Sequence, residues 1–165
     1  MKIQSKEELY KAKEAAMKIV KQRSTASGAV AAVPVPGVDV AEDIGIMLEV
    51  IGKINKKFGL SSEEIDELDG DEKQKIAVLI TSVGSDFAGK IITKELVTKA
   101  LKKVGIKVTT KQVAKYIPFA GAIIAGTISY GTMYALGKRH VEDCFEICER
   151  ILKEQSQWCK YLNSK

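Results

Sequence analysis

Apolar residues recur along most of the chain at the three- and four-residue spacing that marks an amphipathic helix. The first such stretch follows a capping-box pattern, in which Ser5 accepts an orphan backbone N–H and Glu8 reaches back toward the helix start. The spacing predicts a helix over residues 5–23, and the small residues 24–33 either extend it or form a short separate helix. The predicted buried stripe is Leu9, Ala12, Ala16, Ile19 and Val20.

A second helix is predicted after a proline-glycine turn that ends with Asp39, a good N-cap residue. Helical spacing of apolar residues then continues for nearly twenty residues. Gly59 suits the left-handed C′ position that ends a helix, with Leu60 folding back over the last turn. The predicted stripe is Val40, Ile44, Met47, Leu48, Ile51, Ile54 and Phe58.

Two further helical regions follow. A second capping box, Ser61 to Glu64, begins a short acidic helix that Asp69-Gly70 breaks. Residues 71–104 allow one long helix or two broken ones, and Thr109 or Thr110 then caps a short basic segment. The apolar positions of residues 71–104 are Ile76, Leu79, Ile80, Val83, Phe87, Ile91, Leu96, Ala100, Leu101 and Val104.

A stretch of twenty-two residues without a charge, 116–137, comes next. Pro118 fits the first turn of a helix, which predicts a helix over residues 119–136. The stretch is long enough to cross a bilayer, but its glycines and hydroxyl groups favour burial within protein. Because Gly121, Gly126 and Gly131 allow close approach of other helices, we expect a buried central helix rather than a transmembrane span.

The last predicted helix covers residues 138–162, with a stripe of Val141, Cys144, Phe145, Cys148, Ile151, Leu152, Trp158, Cys159 and Leu162. No convincing pair of strands is present. The sequence therefore predicts an all-α fold: a single domain, residues 1–165, forming a bundle of about six to seven helices around a buried, glycine-rich central helix.

Charge is distributed in blocks, although the net charge is only +5. Residues 39–72 hold eleven acidic residues and three lysines, whereas residues 90–115 hold eight lysines and one glutamate. This pattern predicts surfaces of opposite sign. No aromatic residues are interleaved with the lysines of residues 90–115, so base stacking lacks a platform and we expect no nucleic-acid partner.

The three cysteines, Cys144, Cys148 and Cys159, lie near the C-terminus, and no signal-peptide pattern is seen at the N-terminus. The odd count points to reduced thiols and a cytoplasmic protein. His140, Cys144 and Cys148 share one helical face and offer three metal ligands in principle. Since this is the only histidine and the cysteines lie in an apolar stripe, we expect core packing and no metal.

Residues 84–90, Gly-Ser-Asp-Phe-Ala-Gly-Lys, have the glycine and lysine spacing of a phosphate-binding loop. Ile91 follows, where that motif requires a Ser or Thr hydroxyl to hold Mg²⁺, and no alternation of strands and helices follows. We therefore predict no nucleotide binding, no cofactor and no catalytic residues. With one histidine, the chain shows no legible catalytic triad.

The two proline-glycine turns resemble those of a known family. Residues 28–60 resemble the opening of the YcjF-type bacterial helical domain of unknown function, and residues 117–137 resemble its second signature. The likeness covers a core of residues 28–140, and the second signature is also similar to the helical region of immunity-related GTPases. Its motif residues are Pro34, Pro36, Gly37, Asp39, Gly59, Pro118, Gly121, Gly126 and Gly137, candidates for structural or interaction roles.

That family often occurs fused to Era-like GTPase domains or in membrane-associated proteins. The resemblance implies a non-enzymatic adaptor that binds a protein, with a GTPase in trans as the leading candidate, at or near the inner membrane. Two alternatives stay open: a membrane-active protein whose central hairpin inserts into lipid, and a small inhibitory or immunity protein that masks a partner. The lysines of residues 90–115 also allow peripheral contact with anionic lipid.

Overall fold

A computed structural model of the chain describes residues 2–32, 40–103 and 120–162. Every regular element in these residues is a helix, which confirms the predicted all-α class. Five helices have ten residues or more, and one short helix has five. The helices are α1 (Lys6–Ala32), α2 (Val40–Phe58), α3 (Ser62–Asp66), α4 (Gly70–Val83), α5 (Lys94–Lys103) and α6 (Ala120–Leu162).

The longest helix, α6, lies at the centre of the packing and contacts α1, α2 and α4. The prediction of two helices that meet near Gly137 is wrong, because α6 continues through this position as one helix of 43 residues. A glycine weakens a helix interior but does not break it. Here its missing side chain is what the packing requires: a Cβ on Gly137 would lie 2.9 Å from both methyl groups of Val20 in α1.

The described side chains of α6 are buried at several positions from Met133 onward. Met133, Leu136, Val141, Cys144, Ile147 and Cys148 are buried, whereas Gly131 is exposed. The last residues of the charge-free stretch therefore contribute Met133 and Leu136 to the core. No helix of the described residues has the combined length and apolar character that a bilayer span requires.

The first helix is longer than residues 5–23, since the small residues after Arg23 extend it to Ala32. At its start Ser5 accepts the Glu8 N–H at 3.2 Å, as the capping box predicts. The Glu8 carboxylate, however, accepts the N–H of Gln4 at 2.8 Å, one residue before the predicted partner.

The end of α2 agrees with the sequence. Gly59 has a φ of +70°, and the N–H of Leu60 donates to the Asn55 carbonyl at 2.9 Å. The next two caps are also in place. Ser61 and Glu64 form the full capping box of α3, and Asp69 accepts the Glu72 N–H at the start of α4.

Residues 71–104 form two helices, one of the two predicted alternatives. Gly84 ends α4 in the left-handed conformation, with φ of +75°, and α5 begins ten residues later. Ile91 was expected in the buried stripe but lies in the intervening loop with 74% of its surface exposed. The loop takes it out of helical register, since Phe87 and Ala88 are the residues that turn inward.

The core consists of two apolar clusters. The larger joins α1, α2, α4 and α6 around Leu9, Val20, Ile54, Phe58 and Ile147. The smaller joins α2, α5 and α6 through Met47, Ile51, Val97, Leu101 and Met133, with Phe87 of the loop among them. Between these clusters, the loop after α4 meets α2 and α6.

Candidate functional site

Of the nine family-motif residues, five lie outside the described residues, two lie near the start of α6, and two are glycines with close packing neighbours. Pro34, Pro36, Gly37, Asp39 and Pro118 lie outside the described residues. Gly121 and Gly126 lie in the first turns of α6.

Gly59 and Gly137 are the two motif glycines for which neighbouring atoms leave no room for a side chain. A Cβ on Gly59 would approach the Lys2 Cβ to 2.7 Å, and one on Gly137 would meet Val20. Both glycines serve chain packing, and they do not converge on a common pocket of the described residues.

The loop of residues 84–90 does not have the geometry of a phosphate-binding loop. A helix, α4, precedes it in place of a strand. The N–H of Ala88 is directed at Ser85 Oγ at 3.2 Å, and the N–H of Gly89 donates to the Leu60 carbonyl at 2.9 Å. Phosphate cradles need such N–H groups free to face the ligand.

The lysine of the same loop is exposed, but its ammonium folds back onto the loop. Lys90 Nζ donates to the carbonyls of Ser85 at 3.1 Å and Asp86 at 3.2 Å. A phosphate-binding lysine instead extends toward the terminal phosphates. The glycine and lysine spacing at this position therefore closes a tight loop against the core.

Asn55 of α2 is the centre of a buried polar cluster and is 1% exposed. Its Nδ2 donates to the Phe87 carbonyl at 3.2 Å, so its Oδ1 is the acceptor that faces His140 Nε2 at 2.9 Å. Because a carbonyl can only accept, these contacts fix the orientation of the amide. One side chain thus joins α2, the loop after α4, and α6.

His140 of α6 is neutral in this environment. Its side chain is 1% exposed, and burial lowers its pKa to about 3. Since Asn55 Oδ1 accepts, His140 Nε2 carries the proton and Nδ1 does not. The Phe87 ring meets the imidazole edge-on, with ring centroids 5.3 Å apart.

The two described cysteines continue this face of α6 and are uncharged. Cys144 Sγ lies 3.7 Å from Asn55 Oδ1 and 3.6 Å from His140 Nε2. Cys148 Sγ donates to the Phe58 carbonyl at 3.6 Å. Burial raises the pKa of Cys144 well above its usual value and that of Cys148 to about 12.

Asn55, His140 and Cys144 are the residue types of a cysteine-hydrolase triad, but their environment favours a structural role. A nucleophilic cysteine needs a lowered pKa and access to solvent. Here Cys144 is fully buried, and its pKa is raised rather than lowered. No group of three metal-ligating side chains assembles within the part of the chain that the structure describes.

A small cavity lies beside His140 between α5, α6 and the loop. Its volume of about 20 Å³ admits one water molecule. Asp143 at its rim is half-buried, and burial raises the pKa of this carboxyl while Arg139 and Ser85 oppose the shift. The lining residues are Asp86, Phe87, Ala100, Lys103, Leu136, Arg139, His140 and Asp143.

The sequence placed His140, Cys144 and Cys148 on one helical face, and the structure confirms that placement. The sequence analysis did not identify Asn55 as part of this cluster. A pattern that could have indicated it is an amide side chain inside the apolar stripe, between Ile54 and Phe58. The Phe87 carbonyl was not visible, because a backbone partner leaves no mark in the sequence.

The comparisons with known proteins point to a GTPase-related protein. The chain is 25% identical over 149 residues to interferon-inducible GTPase 5 of Rattus norvegicus, and likewise to that of Bos taurus. This covers 89% of the chain but only 32% of each relative. No family model matches the chain, and no solved structure matches it. The chain is thus similar to a region of a GTPase-related protein, a likeness that does not single out the YcjF-type domain.

Proposed function

We propose that this chain is a non-enzymatic helical adaptor that binds a GTPase-related protein at a membrane surface. The observation that carries the proposal is the similarity over 149 residues to about a third of interferon-inducible GTPase 5. A module similar to part of such a protein is suited to contact a GTPase in trans.

The all-α fold and the inward-facing loop of residues 84–90 support this role over nucleotide chemistry. The Lys90 ammonium is bound to carbonyls of its own loop, and the Asn55, His140 and Cys144 cluster is sealed in the core. The described surface therefore offers contact area rather than a reactive cleft.

The partner surface that we propose is the acidic edge, defined as the exposed carboxylates of α3, of its C-cap residue and of the first turn of α4. Its members include Glu63, Glu67 and Asp71, and a basic protein surface complements it. This edge is an exposed part of the acidic block of residues 39–72.

Affinity purification from the native host tests the proposal. Tagged chain is incubated with soluble and membrane fractions that contain either GDP or a non-hydrolysable GTP analogue. We expect a GTP-binding protein to be recovered in a nucleotide-dependent manner. Recovery of no GTP-binding protein from either fraction would overturn the proposal.

A pair of charge-reversal variants tests the acidic edge. Glu67→Lys with Asp71→Lys is expected to lower recovery of the partner by about tenfold or more, because like charges then face each other. Glu14→Lys with Glu142→Lys reverses two exposed charges on α1 and α6, away from Asp71, as the matched control. Equal loss in both pairs would remove the acidic edge from the proposal.

A further inference from the structure

Three large apolar side chains stand out on the described surface: Tyr10, Val78 and Ile91. Single exposed apolar residues are ordinary, so their surroundings decide what they mean. The Tyr10 ring already has a partner within the protein, because it packs at a tilt of 59° against the Phe145 ring, with centroids 5.4 Å apart. Val78 borders a hollow of mixed charge that includes Asp71, Lys75 and Glu154.

Ile91 differs because its surroundings are basic. The exposed lysines Lys90 and Lys94 flank it along the chain. Lys94 and Lys99 share an open hollow of about 370 Å³ with Thr98 and one carboxylate, that of Glu95. Among the described residues neither Lys94 nor Lys99 forms an ion pair. Residues 90–103 contain five lysines and one glutamate.

Residues on both sides of Ile91 are packed into the core, whereas Ile91 itself is exposed. Phe87 and Ala88 are buried in the core, and Asn55 holds the Phe87 carbonyl. On the other side, Ile92 packs against the smaller apolar cluster. Because both neighbouring segments are anchored, burying Ile91 in a partner needs little further ordering of the chain.

We propose that Ile91, Lys94 and Lys99 form a docking edge for an anionic membrane surface. The Ile91 side chain, the apolar tip of this edge, enters the headgroup region while the lysines contact anionic lipid. Peripheral membrane binding commonly combines these two contributions. The exposed side chains of this edge include no aromatic ring for base stacking, which favours lipid over nucleic acid. The inference deepens the membrane-peripheral part of the proposed function and rests on it.

Vesicle flotation tests the docking edge. The full chain is mixed with phosphatidylcholine vesicles, with and without phosphatidylserine, at low and at high salt. We expect binding only to vesicles with phosphatidylserine and loss of binding at high salt, since screening weakens the lysine contacts. Absence of binding to anionic vesicles would overturn the proposal, as would equal binding to neutral ones.

Variants separate the apolar tip from the charges. Ile91→Ser is expected to lower the partition coefficient about tenfold, and Lys94→Glu with Lys99→Glu by about tenfold or more. The matched controls Val78→Ser and Lys75→Glu change an exposed apolar residue and an exposed lysine on α4 and should bind as the unmodified chain. Anionic binding that is unaffected by Ile91→Ser would overturn the role of the tip.

A fluorescent probe locates the contact directly. Ile91→Cys in a Cys159→Ser background is labelled with an environment-sensitive dye, and its emission should shift to the blue on anionic vesicles. Val78→Cys labelled in the same way should not shift. A shift at residue 78 and not at residue 91 would overturn the assignment. The two proposals can fail separately. If the chain recovers a GTP-binding partner but does not bind vesicles, the adaptor role is retained and only the docking edge is rejected.

Discussion

At the scale of single residues, Asn55 and His140 show how a polar group is kept in an apolar core. The two side chains are 85 positions apart in the sequence and meet at 2.9 Å with both atoms hydrogen-bonded. A buried polar group without such a partner costs about 1–3 kcal/mol. The pair therefore specifies how α6 is placed against α2 and the loop.

Burial of His140 predicts a loss of stability in mild acid. The pKa is lowered to about 3 in the folded protein, whereas the unfolded chain binds the proton near pH 6.5. The unfolded state thus holds more protons between these values, and the free energy of unfolding falls by about 1.4 kcal/mol per pH unit as pH decreases through that window. Urea denaturation at pH 7, 6 and 5 measures this slope.

The variant His140→Gln provides the control, because it retains an N–H donor for Asn55 and does not titrate. Its free energy of unfolding should change much less between pH 6.5 and 5. Exposed carboxylates such as Glu49, with its pKa lowered below 4.5, act at lower pH. The raised pKa of Asp143 acts in the opposite sense. The same pH slope in both proteins would contradict the assignment to His140.

The buried thiols of Cys144 and Cys148 predict slow chemical modification. In a Cys159→Ser background, the folded protein should react with a thiol reagent only on the timescale of unfolding, because both pKa values are raised and both side chains are buried. In denaturant both thiols should react at once. Rapid reaction of either thiol in the folded protein would show that the core opens around α6.

At the scale of helices, the contact between α1 and α6 depends on Gly137. Gly137→Ala gains about 1 kcal/mol in helix propensity, but its Cβ would meet both Val20 methyl groups at 2.9 Å, and overpacking of this kind costs about 1–3 kcal/mol. We expect a net loss of roughly 1 kcal/mol, measured by urea denaturation.

Two variants check the reason for that loss. Gly131→Ala lies in the same helix with nothing within 4 Å of the added Cβ, and it should gain up to about 1 kcal/mol. Combining Gly137→Ala with Val20→Ala should cost less than the sum of the single changes, because the clash is then removed. Strict additivity would contradict the contact.

The loop between α4 and α5 predicts that the protein binds neither GTP nor ATP. Its N–H groups and the Lys90 ammonium are held by other atoms of the chain. Isothermal titration with either nucleotide and Mg²⁺ should show no heat of binding. Micromolar binding that Lys90→Ala abolishes would prove the prediction wrong.

At the scale of the whole molecule, the capping residues predicted where helices begin and end better than the sequence predicted how the helices connect and pack. Caps at Ser61, Asp69 and Gly59 depend on neighbouring residues, so the sequence shows them directly. The continuity of α6 through Gly137 depends on Val20, far away in the chain, and no local pattern reports it. The exposure of Ile91 likewise follows from where the loop is anchored.

The packing of α1 against α6 has a consequence for how the chain folds during synthesis. The principal partner of α1 is α6, which is made much later in the chain. The apolar face around Leu9, Ala16 and Val20 is therefore covered only in part, by α2, until α6 leaves the ribosome. Closing so long a segment is slow relative to forming local helices. The nascent chain must therefore carry a partly exposed apolar stripe until α6 has been made, the condition under which chaperones bind and truncated chains aggregate.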